Sequence, residues 1–149
     1  MAAPLMRLKH RSDGVKTLNG VKDLTSTTTL TADDSGYTLF LNSATEFVTT
    51  LPSPAAGLEF KFIVKAAPSG ASYTIVTASS SNIIVGQVLS SDLNNASDAD
   101  FETSGGDTIT FVDSIAVKGD WVQLISDGTN WYMTAGAAAQ GGITITTAS

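Results

Sequence analysis

The chain has 149 residues, 42% of them apolar, which suits one domain able to bury a core without covalent staples. It contains no cysteine, so disulfides, zinc–thiolate sites and cysteine nucleophiles are excluded, and the composition fits assembly in a reducing compartment. The net charge of −6 is unevenly placed: residues 1–22 carry five basic side chains against Asp13 alone (net +4), and the remainder carries three against thirteen acids (net −10).

The N-terminal MAAPLMRLKHRSDG is basic but lacks the apolar core of a secretory signal, so it reads as part of the mature protein. Residues 1–22 hold no sustained period, and Pro4, Gly14 and Gly20 interrupt them; they are expected to form an extended basic arm. The threonine-rich LTSTTTLTADDSG follows and ends in a turn cluster. YTLFLN then alternates, Tyr37, Leu39 and Leu41 against Thr38, Phe40 and Asn42. TEFVTTL is a second strand candidate, closed by PSPAAG, whose prolines cannot continue a ladder.

LEFKFIVKA is the clearest strand. Leu58, Phe60, Phe62 and Val64 share one face, and Glu59, Lys61 and Lys65 share the other with Ile63. That period of two belongs to a sheet with one buried face. SYTIVTA, NIIV and QVLS continue it. SSDLNNASDADFETSGGD, residues 90–107, is polar and acidic and predicts a long loop. DTITFVD and SIAVKG come next, and ITITT predicts a final edge strand. No stretch carries the helical i, i+3, i+4, i+7 pattern over three turns. Short strands with frequent turn signals predict an all-β chain, one β-sandwich or small β-barrel of jelly-roll or β-tulip type, over 23–149.

GDWVQLISDGTNWYMTAG predicts a hairpin. Trp121, Gln123 and Ile125 face one way, Val122 and Leu124 the other, and Trp131 and Met133 alternate with Tyr132. Gly128 supplies a positive φ at the turn, where Asp127 and Asn130 can bond backbone groups. Apolar residues occur on both faces. One face can fill the core while the other is partly covered by the arm or a loop; alternatively one aromatic face packs on another subunit.

Catalytic chemistry finds little to work with. The only histidine, His10, lies in the arm, where a base cannot be held and tuned. Glu46 and Glu59 are carboxylates that a glycosidase could use, but Glu59 alternates with Lys61 and Lys65 as a solvated ladder would. The acidic loop offers Asp92, Asn94, Asn95, Asp98, Asp100 and Glu102 as hard oxygen donors, yet an EF-hand counted from Asp92 would need glycine at Ser97 and glutamate at Thr103. A looser calcium site stays open there. No phosphate loop or dinucleotide fingerprint occurs. No catalytic residue, cofactor or metal site is assigned. The acidic body disfavours nucleic acid and anionic membranes as partners.

LTADDSGYTLFLNSATEFVTTLPSPAAGLEFKFIVKAA, with VKGDWVQLISDGTNWYMTAG later, resembles small β-rich structural proteins of tailed bacteriophages. The carrying motifs are a Thr-Leu-Pro-x-Pro-x-x-Gly turn before a phenylalanine-rich strand, here Thr50 to Gly57, and a closing hairpin, here Gly119 to Trp131. The resemblance implies a non-enzymatic virion protein, often a homotrimer. It points to a capsid decoration (cement) protein on the outer capsid surface, assembled in the host cytoplasm, that bridges subunits of the major capsid protein and stabilises the expanded head. Under it, Leu5, Met6, Arg7, Leu8, Lys9, Arg11 and Lys16 would form the capsid-binding arm. Trp121, Trp131, Tyr132 and Met133 would be subunit-interface candidates. The alternative implied is a head- or tail-fibre module that binds a host receptor or glycan.

Overall fold

The computed structural model describes the backbone of residues 20–43, 45–91 and 99–148, and their side chains except those of 99–104. Among the described residues twelve strands form: β1 (Val21–Leu24), β2 (Thr28–Thr29), β3 (Thr38–Leu41), β4 (Val48–Thr50), β5 (Glu59–Val64), β6 (Tyr73–Val76), β7 (Ile84–Ser90), β8 (Ala99–Gly106), β9 (Thr108–Phe111), β10 (Trp121–Ser126), β11 (Trp131–Ala137) and β12 (Ile143–Thr146). Among the described residues the only helical turn is a short 3-10 turn at Ala32–Asp34.

The strands make two mixed sheets packed as a β-sandwich, one of seven strands in the order β1-β3-β5-β10-β11-β7-β8 and one of five in the order β12-β9-β6-β4-β2. The first six strands alternate between the sheets. Each passage to the opposite sheet and back sets the next strand parallel to its neighbour, so β1, β3 and β5 run parallel, as do β2, β4 and β6. Parallel strands need a crossover, and here it is a strand of the facing sheet rather than a helix. The predicted hairpin then joins antiparallel to β5.

The core follows the alternation read from the sequence. Phe60, Phe62 and Val64 of β5 point inward beside Leu39 and Leu41 of β3 and Val122 and Leu124 of β10. Phe47, Tyr73, Ile75, Ile109 and Phe111 meet them from the second sheet. Trp131 packs against Phe60 with ring centroids 5.7 Å apart, and Phe47 against Tyr73 at 4.8 Å. Each such side chain contributes roughly 1.5–3 kcal/mol by leaving water. The buried Tyr73 hydroxyl donates to the carbonyl of Ala66 at 2.8 Å, so its polar end is satisfied.

Three expectations need correction. Residues 90–107 are not one loop: Ala99–Gly106 is β8, paired antiparallel with β7 at the edge of the larger sheet. A polar strand is tolerated at an edge, where few side chains must enter the core. The second half of NIIV (Ile84 and Val85) and QVLS belong to a single strand, β7, which runs through Gly86. Val21 and Lys22, counted with the arm, pair in register with Thr38 and Leu39, and Lys22 Nζ bridges to Asp34 at 2.9 Å.

Candidate functional site

The two segments that carry the resemblance meet at one end of the sandwich. Gly57 N–H donates to the Ser126 carbonyl and Ser126 N–H to that of Leu58, both at 2.9 Å, which seats the PSPAAG turn beside the hairpin tip. Gly128 adopts φ 102°, a conformation that strains residues with a Cβ. Asp127 Oδ1 accepts the N–H groups of Thr129 and Asn130, both at 2.8 Å. These bonds, led by Asn130, hold the Asp127 carboxyl below the ordinary aspartate range. A folded pKa below the unfolded value stabilises above the unfolded value, and that stabilisation is lost as pH falls through the folded one. The melting-temperature gap between wild type and Asp127→Ala is therefore expected at neutral pH and should shrink below about pH 4. Thermal melts across that range check it.

The other end of the hairpin is held by Asp120, which is buried at 3% exposure. Its Oδ2 accepts from Val117 N–H at 3.0 Å and its Oδ1 from Ala138 N–H at 2.9 Å, clamping the turn before β10 to the end of β11. Asp120→Ala leaves both donors without this partner and should cost about 2–3 kcal/mol, read from urea unfolding.

With both ends fixed, the outward side chains of the larger sheet fall into transverse rows. Strand register puts Asp23, Phe40, Ile63, Trp121, Gly136 and Leu89 in one row. The next row opens on the exposed Val21 and is otherwise polar, with Thr38, Lys61, Gln123, Thr134 and Gln87. A third row holds Glu59, Ile125, Tyr132 and Val85. Leu89 is 56% exposed, Tyr132 50% and Ile125 48%, so this face presents apolar groups to its surroundings. Gln123 Nε2 donates to Glu59 Oε1 at 2.6 Å, and Lys65 Nζ pairs with Asp23 at 2.6 Å. Two cations lie over the aromatics: Lys61 Nζ is 5.8 Å from the Trp121 ring centroid and Lys65 Nζ 5.7 Å from that of Phe40.

Trp121 reaches across Gly136, where a Cβ would come within 2.6 Å of the indole Nε1. The space beyond the ring is a shallow pocket of about 220 Å³, walled by Trp121, Leu89, Gln87, Thr134 and Gly136. A smaller depression of about 140 Å³ lies on the same face between Tyr37, Thr38, Glu59 and Lys61.

Of the four interface candidates, two are placed on this face and two are not. Trp121 and Tyr132 stand outward; Trp131 at 0% and Met133 at 3% exposure are core residues. They are buried because the hairpin register sets Met133 opposite Leu124 and Trp131 opposite Ser126, on the inner side. Phe40, Ile63, Ile125 and Leu89 belong to the outer face and were missed. Ile63 was readable, standing on the polar side of β5; the row that unites it with Leu89 depends on strand order.

No family model, curated protein or solved structure matches the chain.

The arm candidates Leu5, Met6, Arg7, Leu8, Lys9, Arg11 and Lys16 lie outside the described residues, as does His10. So do Asp92, Asn94, Asn95 and Asp98; Asp100 and Glu102 are on β8. Glu46 leads into β4 of the smaller sheet and Glu59 opens β5 of the larger, so the two carboxylates belong to different sheets. No group of three or more metal-ligating side chains occurs among the described residues.

Proposed function

We propose that this chain is a capsid decoration protein, a non-enzymatic virion component that binds the outer surface of an assembled shell and stabilises its expanded state. The outer face of the seven-stranded sheet is the observation that carries the reading. It is a preformed surface, rigid in its ladder hydrogen bonds, with an apolar row bordered by the Gln123–Glu59 and Lys65–Asp23 pairs. Apolar residues set among paired polar ones suit association with protein. Trp121 and Tyr132 would meet sister copies around a threefold axis, while the arm, four bases against one acid over residues 1–19, reaches the major capsid protein. Preferential binding to the expanded shell stabilises that state by mass action, and many copies add their effects.

A fibre module that binds glycan is the second reading. The pocket beside Trp121 favours it, since Gln87 and Thr134 supply hydrogen-bonding groups next to an aromatic ring. It ranks second because Lys61 stands over that ring, and a sugar stacked on the same side must displace the cation.

The test is binding of purified protein to expanded and unexpanded shells, with the triple variant Arg7→Glu, Lys9→Glu, Arg11→Glu beside wild type. Wild type is expected to saturate expanded shells, and the variant to lose at least about tenfold in affinity, the size of a ~1.4 kcal/mol change. Failure of wild type to bind shells in either state would remove the reading.

A further inference from the structure

The chain leaves the described fold at Gly20, at the edge of the same sheet that carries the apolar row. A Cβ at Gly20 would run into the Tyr37 ring, so the backbone passes close against that ring. Tyr37 is also a wall of the smaller depression, which leads inward past Glu59 and Lys61 toward Trp121. The exit, the depression and the Trp121 pocket thus follow one another along a single face.

Distance allows the arm to use that path. From β1 to β11 is four strand spacings, about 19 Å, and the offset along the strands adds about 10 Å, so the straight-line span is roughly 22 Å. Leu8 lies twelve residues before Gly20. A flexible chain of that length has a root-mean-square reach of about 20 Å and a maximal reach of about 40 Å. Span and reach match, the condition under which a tether gives its highest effective concentration, in the millimolar range.

The chemistry also matches. Leu5, Met6 and Leu8 form the densest apolar group of the arm, which also holds Met1, Val15 and Leu18, and the pocket is walled by Trp121 and the exposed Leu89. Methionine and leucine pack well against an indole. The arm of residues 1–19 carries four bases against Asp13, and residues 23–149 carry net −10, so long-range attraction draws the arm onto the body. Lys61 and Lys65 on the face itself steer the basic side chains away from the row, whose nearby acids Asp23 and Glu59 already bond Lys65 and Gln123.

From these observations we infer that the N-terminal arm docks on the outer face of its own seven-stranded sheet, with the Leu5–Leu8 segment in the pocket beside Trp121. The contact masks the apolar row in the free protein. If the chain decorates shells, transfer of the arm to the shell exposes the row to a sister copy; the docking itself does not rest on that reading.

The absence of native cysteines makes a direct test available. Full-length Leu8→Cys/Leu89→Cys, and Leu5→Cys/Leu89→Cys to allow for register, are oxidised and run on non-reducing gels. The control pair is Leu8→Cys/Thr74→Cys, because Thr74 lies between the buried Tyr73 and Ile75 and so faces out from the other sheet. The expected result is an intramolecular disulfide in a monomer, formed at least about tenfold faster in one test pair than in the control. Cross-linking no faster than the control in both pairs would overturn the inference. Disulfide-linked dimers whose yield rises with concentration would overturn it too, by assigning the pocket to another copy's arm.

Discussion

Trp131→Ala is expected to destabilise the protein by about 3–5 kcal/mol, while the same change at Trp121 costs about 1 kcal/mol or less. Trp131 is fully buried and packs at a tilt against Phe60, so truncation leaves a cavity the size of an indole between two sheets that cannot close over it. A domain of this size is held by roughly 5–15 kcal/mol, so the Trp131 variant keeps only part of its stability. Trp121 covers Gly136 and accepts the Lys61 ammonium on an outward face, and its removal uncovers surface without opening the core. Urea unfolding of both variants checks the contrast. Equal losses would mean that the outer face belongs to the fold and is not a surface available for docking.

Gly86→Ala should be nearly as damaging, by about 3 kcal/mol. Gly86 pairs with Met133 in the parallel ladder between β7 and β11, and a Cβ there would collide with the Met133 carbonyl oxygen. The obstacle is backbone, so no side-chain rotation relieves it. The two strands must separate, or β7 must shift against β8, where the register already breaks between Ile84 and Gly86. Separation would also tilt Leu89 away from Trp121. A lowered urea midpoint with unchanged slope is the expected result; a midpoint equal to wild type would show that the ladder accommodates the methyl group.

The alternation in the sequence identifies strands and their two faces, and in LEFKFIVKA it also tells inside from outside, because Phe60, Phe62 and Val64 oppose charges. In the hairpin both faces carry aromatics, so the alternation by itself does not separate Trp131 and Met133 from Trp121 and Tyr132. A signal was nevertheless present: Trp131, Met133, Ala135 and Ala137 form an unbroken apolar alternation, whereas Tyr132, Thr134 and Gly136 do not, and the first set is buried. β8 and β1 escaped notice because edge strands can be mostly polar; VKDL buries only Leu24. The order of strands had no local signal. Parallel neighbours arise from the repeated passage between sheets, and that order alone brings Phe40, Ile63, Trp121 and Leu89 into one row.

The decoration reading proposes a phage source, so its most direct test is the copy number of this protein relative to the major capsid protein in purified particles of the phage it would come from, measured by quantitative mass spectrometry. A decoration protein is predicted to be present at a ratio near one, or at a fixed simple fraction set by the shell's symmetry. A handful of copies per particle, or none, would contradict the account.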